Sequence, residues 1–327
     1  MADLSTDYMG LKLRNPLMVA SCSLTNAVEG VQRCADAGAG AVVLKSFFEE
    51  QIEADTKEIE KNVWLAGHTE AYDYVRKIGI EIGAQDYLTL LEKSKDSVSV
   101  PVIASLNCVT PGSWTDYARR IESAGADAIE LNVALLPSDP RHSGEEIENL
   151  YYDIVESVKK SVKIPLAVKV GPYFTSMANV AAELCNRGAA ALVFFNRFYQ
   201  VDINVDKLNL VPGYRFSTPE EINLPLRWIS LLAGRLECDL AATTGAHDAG
   251  GVVKQLLAGA SAVQICSALY IHGIGHISNI LSNIEAWMKL HHFESVAQFR
   301  GRLSQKDSDR PELYERLQYI KALVGIE

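Results

Sequence analysis

Residues Cys238–Tyr270 read CDLAATTGAHDAGGVVKQLLAGASAVQICSALY, and the pattern in this stretch decides the fold. A short apolar run, Asp239–Thr243, predicts a buried strand. Thr244–Gly245 is a small-residue turn, Ala249–Ala258 fits a helix, and Ala262–Cys266 predicts a second buried strand, followed by Ser267 and another helix. Strand, helix, strand at this spacing is the unit of a parallel sheet, whose strands are buried on both faces and so lack polar alternation. Two neighbouring strand ends carrying Thr244, Gly245, Cys266 and Ser267 leave backbone N–H groups uncovered. In a closed barrel such ends form a cup for a phosphate, with a helix N-terminus in support. Ordinary βα turns also favour small residues, so the cup reading depends on the rest of the chain forming a barrel.

The rest of the chain repeats the unit. Four times a glycine is followed by an Ala-containing apolar run: GAGAVVLKS from Gly38, GADAIELNV from Gly125, GAAALVFFN from Gly188 and GASAVQICS from Gly259. Each glycine suits the left-handed residue that ends a helix. Three more runs start at a proline: PLMVAS from Pro16, PVIASLN from Pro101 and PLAVKV from Pro165, with the Asp239 run as the fourth of this second set. Interleaved, they give eight strands. Amphipathic helices are expected at Val28–Ala37, Trp114–Ala124, Glu145–Val162, Ser176–Arg187, Leu224–Leu236 and Ala249–Ala258. Eight alternations predict a single (β/α)8 barrel. Phe47–Tyr87 is expected to hold the second helix after an excursion. Tyr199–Asn223 reads as a lid or extra loop. The one domain is expected to span residues 1–327, with 292–327 as an extension packed outside the barrel and partly helical at Pro311–Leu323.

With 327 residues and 48% hydrophobic side chains, the chain can bury a large core. A net charge of −10 argues against nucleic acid as a partner, because phosphates demand a basic face. No apolar run approaches the length of a membrane span and the N-terminus lacks a signal-peptide pattern, so a cytoplasmic protein is expected. Cys22, Cys34, Cys108, Cys185, Cys238 and Cys266 are scattered without a CxxC pair. They are read as reduced core thiols, and no metal site is expected.

Chemistry in such a barrel sits at the C-terminal ends of the strands. The residues there are Ser21, Lys45, Asn107, Asn132, Lys169, Asn196, Thr243 with Thr244, and Ser267. A lysine closing an apolar strand can simply snorkel. Two lysines with three asparagines at neighbouring exits point instead to a site for a phosphorylated, electron-rich ligand.

VVLKSF, SLN, AIELNV, PLAVKVGPYF, LVFFNRF and LLAGASAVQICSAL together resemble the dihydroorotate dehydrogenase family over about Leu11–His291, on the soluble, class 1 side and most of all a bacterial dihydroorotate dehydrogenase-like branch. The resemblance implies an FMN-dependent dehydrogenase of pyrimidine biosynthesis, usually a homodimer. It implies flavin contacts at Ala20 and Ser21, with Lys169 beside the flavin and Lys45 near flavin and substrate. Asn132 and Asn196 would bind the pyrimidine edge, and Thr244, Gly245, Cys266 and Ser267 the phosphate. Two departures stand out. After ELN the family carries a Cys or Ser base, and the direct register here offers Leu135. The family's substrate segment is replaced by WLAGHTEAYDYV. His142, Ser138 and Ser143 are the loop's replacement candidates, His142 having the right intrinsic pKa for a base; Ser143 and Glu146 also fit a capping box. His68 and His247 are further candidates. Alternatives to a dihydroorotate dehydrogenase are a flavin enzyme acting on another cyclic amide, a non-catalytic FMN-binding barrel, and a Schiff-base aldolase using Lys169.

Overall fold

The structure, a computed structural model, describes residues 2–49, 72–108, 111–197, 200–213 and 215–315. Eight parallel strands form the ring: β1 Leu17–Val19, β2 Ala41–Val43, β3 Val102–Asn107, β4 Ala128–Asn132, β5 Leu166–Val170, β6 Ala191–Phe194, β7 Asp239–Thr243 and β8 Ala262–Ile265. Each pairs with the next, and β8 returns to β1 through Val263 opposite Leu17 and Ile265 opposite Val19, so the sheet is closed. The helices are α1 Val28–Asp36, α2 Tyr72–Ser97, α3 Pro111–Ser123, α4 Gly144–Ser161, α5 Met177–Asn186, α6 Asn223–Leu232, α7 Ala249–Ala258, α8 Ser267–His272 and α9 His276–Leu290. The architecture is therefore the expected (β/α)8 barrel. The four repeat glycines all have positive φ (Gly38 +111°, Gly125 +87°, Gly188 +105°, Gly259 +116°), as a left-handed helix end requires.

Strand alternation separates two cores. Outward side chains pack under the helices. Inward ones, among them Met18, Ala41, Val43, Ile103, Ala128, Ala167, Ala191, Val193, Ala241 and Ala262, fill the barrel. Small inner residues leave room for a plug at the N-terminal end. A hairpin, Thr6–Tyr8 with Leu11–Leu13, inserts Tyr8, Met9 and Leu13 into that inner cluster. Asp239 ties it down by accepting from Met9 N at 2.8 Å and from Ser261 Oγ at 2.7 Å.

The expectation of six reduced thiols fails at one pair, since Cys185 and Cys238 form a disulfide. Cys185 lies in the last turn of α5 and Cys238 immediately precedes β7. The fold brings their Cα atoms to 5.7 Å, inside the span a disulfide bridges. No spacing in the sequence signals this, because 53 residues separate them. The 199–223 connection contains an antiparallel hairpin, Gln200–Asn204 with Asn209–Gly213, whose Val201, Ile203, Val205, Leu208 and Leu210 are exposed. Past α9 the chain crosses the outer ends of α7 and α6, with Gly301 N bonded to Leu256 O, Leu303 N to Leu257 O and Gln305 N to Ser230 O. Pro311–Tyr314 is a 3₁₀ turn; the rest of the helix expected to Leu323 lies outside the described residues, as do His68 and most of the WLAGHTEAYDYV segment.

Candidate active site

At the C-terminal mouth, the ends of β1, β5, β6, β7 and β8 surround a pocket of about 240 Å³. Lys169 reaches into it from inside the barrel. Its ammonium lies 3.5 Å from Glu130 Oε1 and donates to Gln264 Oε1 at 3.2 Å; Gln264 Nε2 in turn donates to Glu130 Oε2. Glu130 is 1% exposed and the Lys169 side chain 11%. A carboxylate this deep needs a partner, and Lys169 is the cation that supplies it while keeping its tip at the pocket.

Glu130 and Gln264 are the residues that sequence reasoning missed. Each sits mid-strand on the inward face, two residues before Asn132 and Cys266. A polar residue inside AIELN or AVQIC was the available signal, since a strand buried on both faces otherwise carries none.

The other mouth residues gather as follows. Asn196 Nδ2 donates to Asn132 Oδ1 at 2.6 Å, linking the exits of β4 and β6. Ser21 Oγ is 3.1 Å from Ser46 Oγ, which is 2.7 Å from Ser105 Oγ; Ser105 N donates to Tyr87 OH at 3.0 Å. Ala20 N donates to Ile265 O at 2.9 Å. Lys45, half-buried beyond β2, holds its ammonium 5.3 Å from the Phe48 ring centre and is not part of the pocket lining, although its charge acts on Cys266.

The β7 exit is strained. Thr244 has φ +76° and Gly245 φ +81°. A positive φ at a β-branched residue is an outlier of a kind concentrated at functional sites. Among the described residues the N–H groups of Gly245 and Ser267 make no hydrogen bond. Ser267 Oγ accepts from Ser217 N at 3.0 Å, and Ser217 Oγ lies 2.9 Å from His247 Nε2. Burial, aided by the neighbouring His272, holds His247 below its ordinary pKa. At the start of α7, Asp248 accepts from Gly251 N at 2.8 Å, while α8 begins at Ser267 itself. Arg197 and Arg215 also border the pocket and were not anticipated; Arg197 Nε is paired with Glu221 at 2.9 Å and Arg215 with Asp202 at 3.6 Å.

His142 is not brought to this pocket. It lines a separate cleft with Leu135, Tyr151 and Tyr173, and its side chain is 57% exposed. The loop takes the helix-capping arrangement: Ser143 Oγ accepts from Glu146 N at 3.2 Å and Glu146 Oε2 accepts from Ser143 N at 2.7 Å. Ser138 is exposed. His247, at 9% exposure, is enclosed by its bond to Ser217 and by His276 Nε2 at its carbonyl.

A closed barrel with a buried Glu–Lys–Gln cluster under a hydroxyl- and amide-lined mouth defines a cation-floored ligand site, and the comparisons give it a lineage. The dihydroorotate dehydrogenase family description matches residues 3–288, so the chain belongs to that family. It is 28% identical over 310 residues to the dihydroorotate dehydrogenase B (NAD(+)) catalytic subunit of Thermoplasma acidophilum, covering 92% of this chain and 99% of the relative. The protein of the same name from Methanocaldococcus jannaschii is 27% identical over 298 residues, covering 88% and 94%. A chloroplastic dihydropyrimidine dehydrogenase (NADP(+)) of Arabidopsis thaliana is 21% identical over 343 residues, covering 96% and 80%.

Proposed function

We propose that this protein is an FMN-dependent dehydrogenase that oxidises a CH–CH bond of a dihydropyrimidine-type cyclic amide, dihydroorotate or a close analogue. The observation that carries the reading is the Glu130–Lys169–Gln264 cluster, which fixes one ammonium at the pocket. The donor set fits a phosphorylated flavin: a cation, hydroxyls of Ser21 and Thr244, and free N–H groups at Gly245 and Ser267. Ala20 and Cys266 also line the pocket.

When bound, FMN supplies a ring system that accepts hydride. The chain's own groups do the rest. Lys169 sets a fixed positive charge where negative charge develops, and such preorganised charge is worth several kcal/mol because nothing must reorient during reaction. Lys45 adds a second cation near the mouth. Gly245 N and Ser267 N hold the phosphate. Asn132 and Asn196, already joined at 2.6 Å, offer amide donors and acceptors to a cyclic amide.

The loop after β4 contributes no proton acceptor at Leu135, and His142 points into its own cleft. General base catalysis contributes roughly 10²–10⁴-fold, so oxidation of dihydroorotate should be slower by about that factor than in relatives that carry a Cys or Ser base. An ammonium engaged by a buried carboxylate is a poor amine nucleophile, which disfavours the aldolase alternative. The relatives named for dihydroorotate and dihydropyrimidine support a redox role over mere flavin storage. We also propose a cytoplasmic homodimer, with residues 292–327 as an extension of the one domain.

The test is anaerobic mixing of the purified protein with dihydroorotate and, separately, with dihydrouracil while flavin absorbance is followed. Slow, complete bleaching by either supports the proposal. Retention of oxidised flavin with both, while dithionite bleaches it, refutes a dehydrogenase of this substrate class.

A further inference from the structure

A strap of chain, residues 215–222, joins the exposed hairpin to α6 and passes over the exits of β7 and β8. Its contacts fix where it lies. Ser217 N donates to Ser267 Oγ at 3.0 Å, which sets the strap against the β8 exit. At the β7 exit the strap backbone comes so close to Gly245 that an added Cβ there would lie 2.2 Å from Ile222 N. The strap therefore covers both residues to which the phosphate of the proposed flavin is assigned. It is also anchored. Ser217 Oγ lies 2.9 Å from His247 Nε2, Phe216 stacks on Tyr270 with ring centres 5.2 Å apart, and Arg197 Nη1 donates to Arg215 O.

A phosphate monoester carries about −1.5 to −2 charges near neutral pH. Backbone N–H groups orient it but do not balance that charge. Among the described residues, three cations line the pocket: Lys169, Arg197 and Arg215. Lys169 lies 3.5 Å from the buried Glu130 carboxylate. Arg197 grips Glu221 twice, Nε to Oε2 at 2.9 Å and Nη2 to Oε1 at 3.4 Å. Burial holds His247 below its ordinary pKa, so at neutral pH it adds no charge. Arg215 differs from all of these. Its guanidinium meets Asp202 at 3.6 Å, and the two side chains are 76% and 54% exposed. An exposed pair of this kind contributes little and is readily exchanged for a better anion. Arg215 stands two residues from Ser217, a span of at most about 7 Å of chain, which an extended arginine side chain covers. Its carbonyl is fixed by Arg197, so the side chain swings from a held root.

We propose that Arg215 is the cation of the phosphate site: it leaves Asp202 and closes its planar fork on the phosphate held at Gly245 and Ser267. Guanidinium geometry suits two parallel hydrogen bonds to phosphate oxygens. The inference rests on the FMN reading and deepens it, because it makes the strap the element that selects a phosphorylated flavin over riboflavin.

The experiment strips the purified protein of flavin and titrates it with FMN and with riboflavin, following flavin fluorescence. Arg215→Gln should weaken FMN by about tenfold to a hundredfold, the worth of hydrogen bonds to a charged group, and leave riboflavin, which lacks the phosphate, unchanged. Arg215→Lys, which keeps the charge without the fork, should recover part of the loss. Asp202→Asn should bind FMN at least as tightly as the parent. An unchanged preference for FMN in Arg215→Gln overturns this inference alone. So does an equal loss for both flavins, or a loss in Asp202→Asn as large as in Arg215→Gln, since either assigns the effect to the shape of the strap. A parent protein that takes up neither flavin overturns the FMN reading, and this inference with it.

Discussion

Gly245→Ala separates two costs that a single substitution usually mixes. A methyl added at Gly245 would lie 2.2 Å from Ile222 N, 2.6 Å from Ile222 Cα and 2.8 Å from Glu221 C. All three are backbone atoms of the Pro219–Ile222 turn that leads into α6, so no rotamer change relieves the contact. The residue must also keep φ near +81°. The left-handed conformation costs about 1–2 kcal/mol, and overpacking typically costs about 1–3 kcal/mol more. The stiffer unfolded chain offsets roughly 0.4–1 kcal/mol. Gly125→Ala is the control: its φ is +87°, but nothing lies within 4 Å of the added methyl, so only the conformational term applies. At about 2 °C per kcal/mol for a large domain, Gly245→Ala should lower Tm by roughly 3–8 °C and Gly125→Ala by no more than about 3 °C. Thermal unfolding followed by circular dichroism reads both. Equal shifts would show that the turn does not press on Gly245. The clash is with protein, so loss of flavin in a bulky Gly245 variant reports a displaced turn as much as a blocked phosphate.

Three further outcomes follow from the same geometry. Glu130→Gln removes the carboxylate partner of Lys169; breaking a buried pair costs about 3–5 kcal/mol, and because Lys169 reaches the pocket the expected loss is nearer 2 kcal/mol, read by urea denaturation, with flavin affinity weakened more than fold stability. His142→Ala should leave the rate and pH profile of flavin reduction unchanged, whereas Ser143→Ala should destabilise by about 1 kcal/mol through loss of the cap; a His142-dependent pH profile would restore it as the base. His247 has a lowered pKa, so below its ordinary value of about 6.5 the unfolded chain takes up a proton that the folded one resists. Its contribution is whole above that pH and is lost as pH falls. Tm should drop between pH 7 and pH 5, and the drop should shrink in His247→Gln even though His272, His276, Asp248 and Glu221 surround the ring.

The barrel was legible because its strands are buried on both faces and its helices end on glycines, features that local sequence records directly. The helix bounds agreed within a few residues for the same reason; Ala249–Ala258 matched throughout. The mouth lysines and asparagines were legible as polar ends of apolar runs. What could not be read depends on which distant segments meet. Cys185 finds Cys238 only because α5 and β7 converge, and the exits of β1 and β8 meet at the pocket only because the barrel closes between its first and last strands. Tyr8 gives no sign in TDYMG that it will fill the barrel floor. His142 was placed by chemistry rather than position, and the capping box of Ser143 and Glu146 decided its surroundings instead.

The central claim is that the Lys169-floored pocket holds FMN, and the direct measurement is the visible spectrum and acid-released flavin content of the purified protein and of Lys169→Ala after reconstitution with FMN. The account predicts a yellow protein with about one FMN per chain, and a Lys169→Ala variant that folds with unchanged far-ultraviolet circular dichroism but retains flavin weakly. A colourless protein that takes up no FMN, or a Lys169→Ala variant that binds it as tightly as the parent, would contradict it.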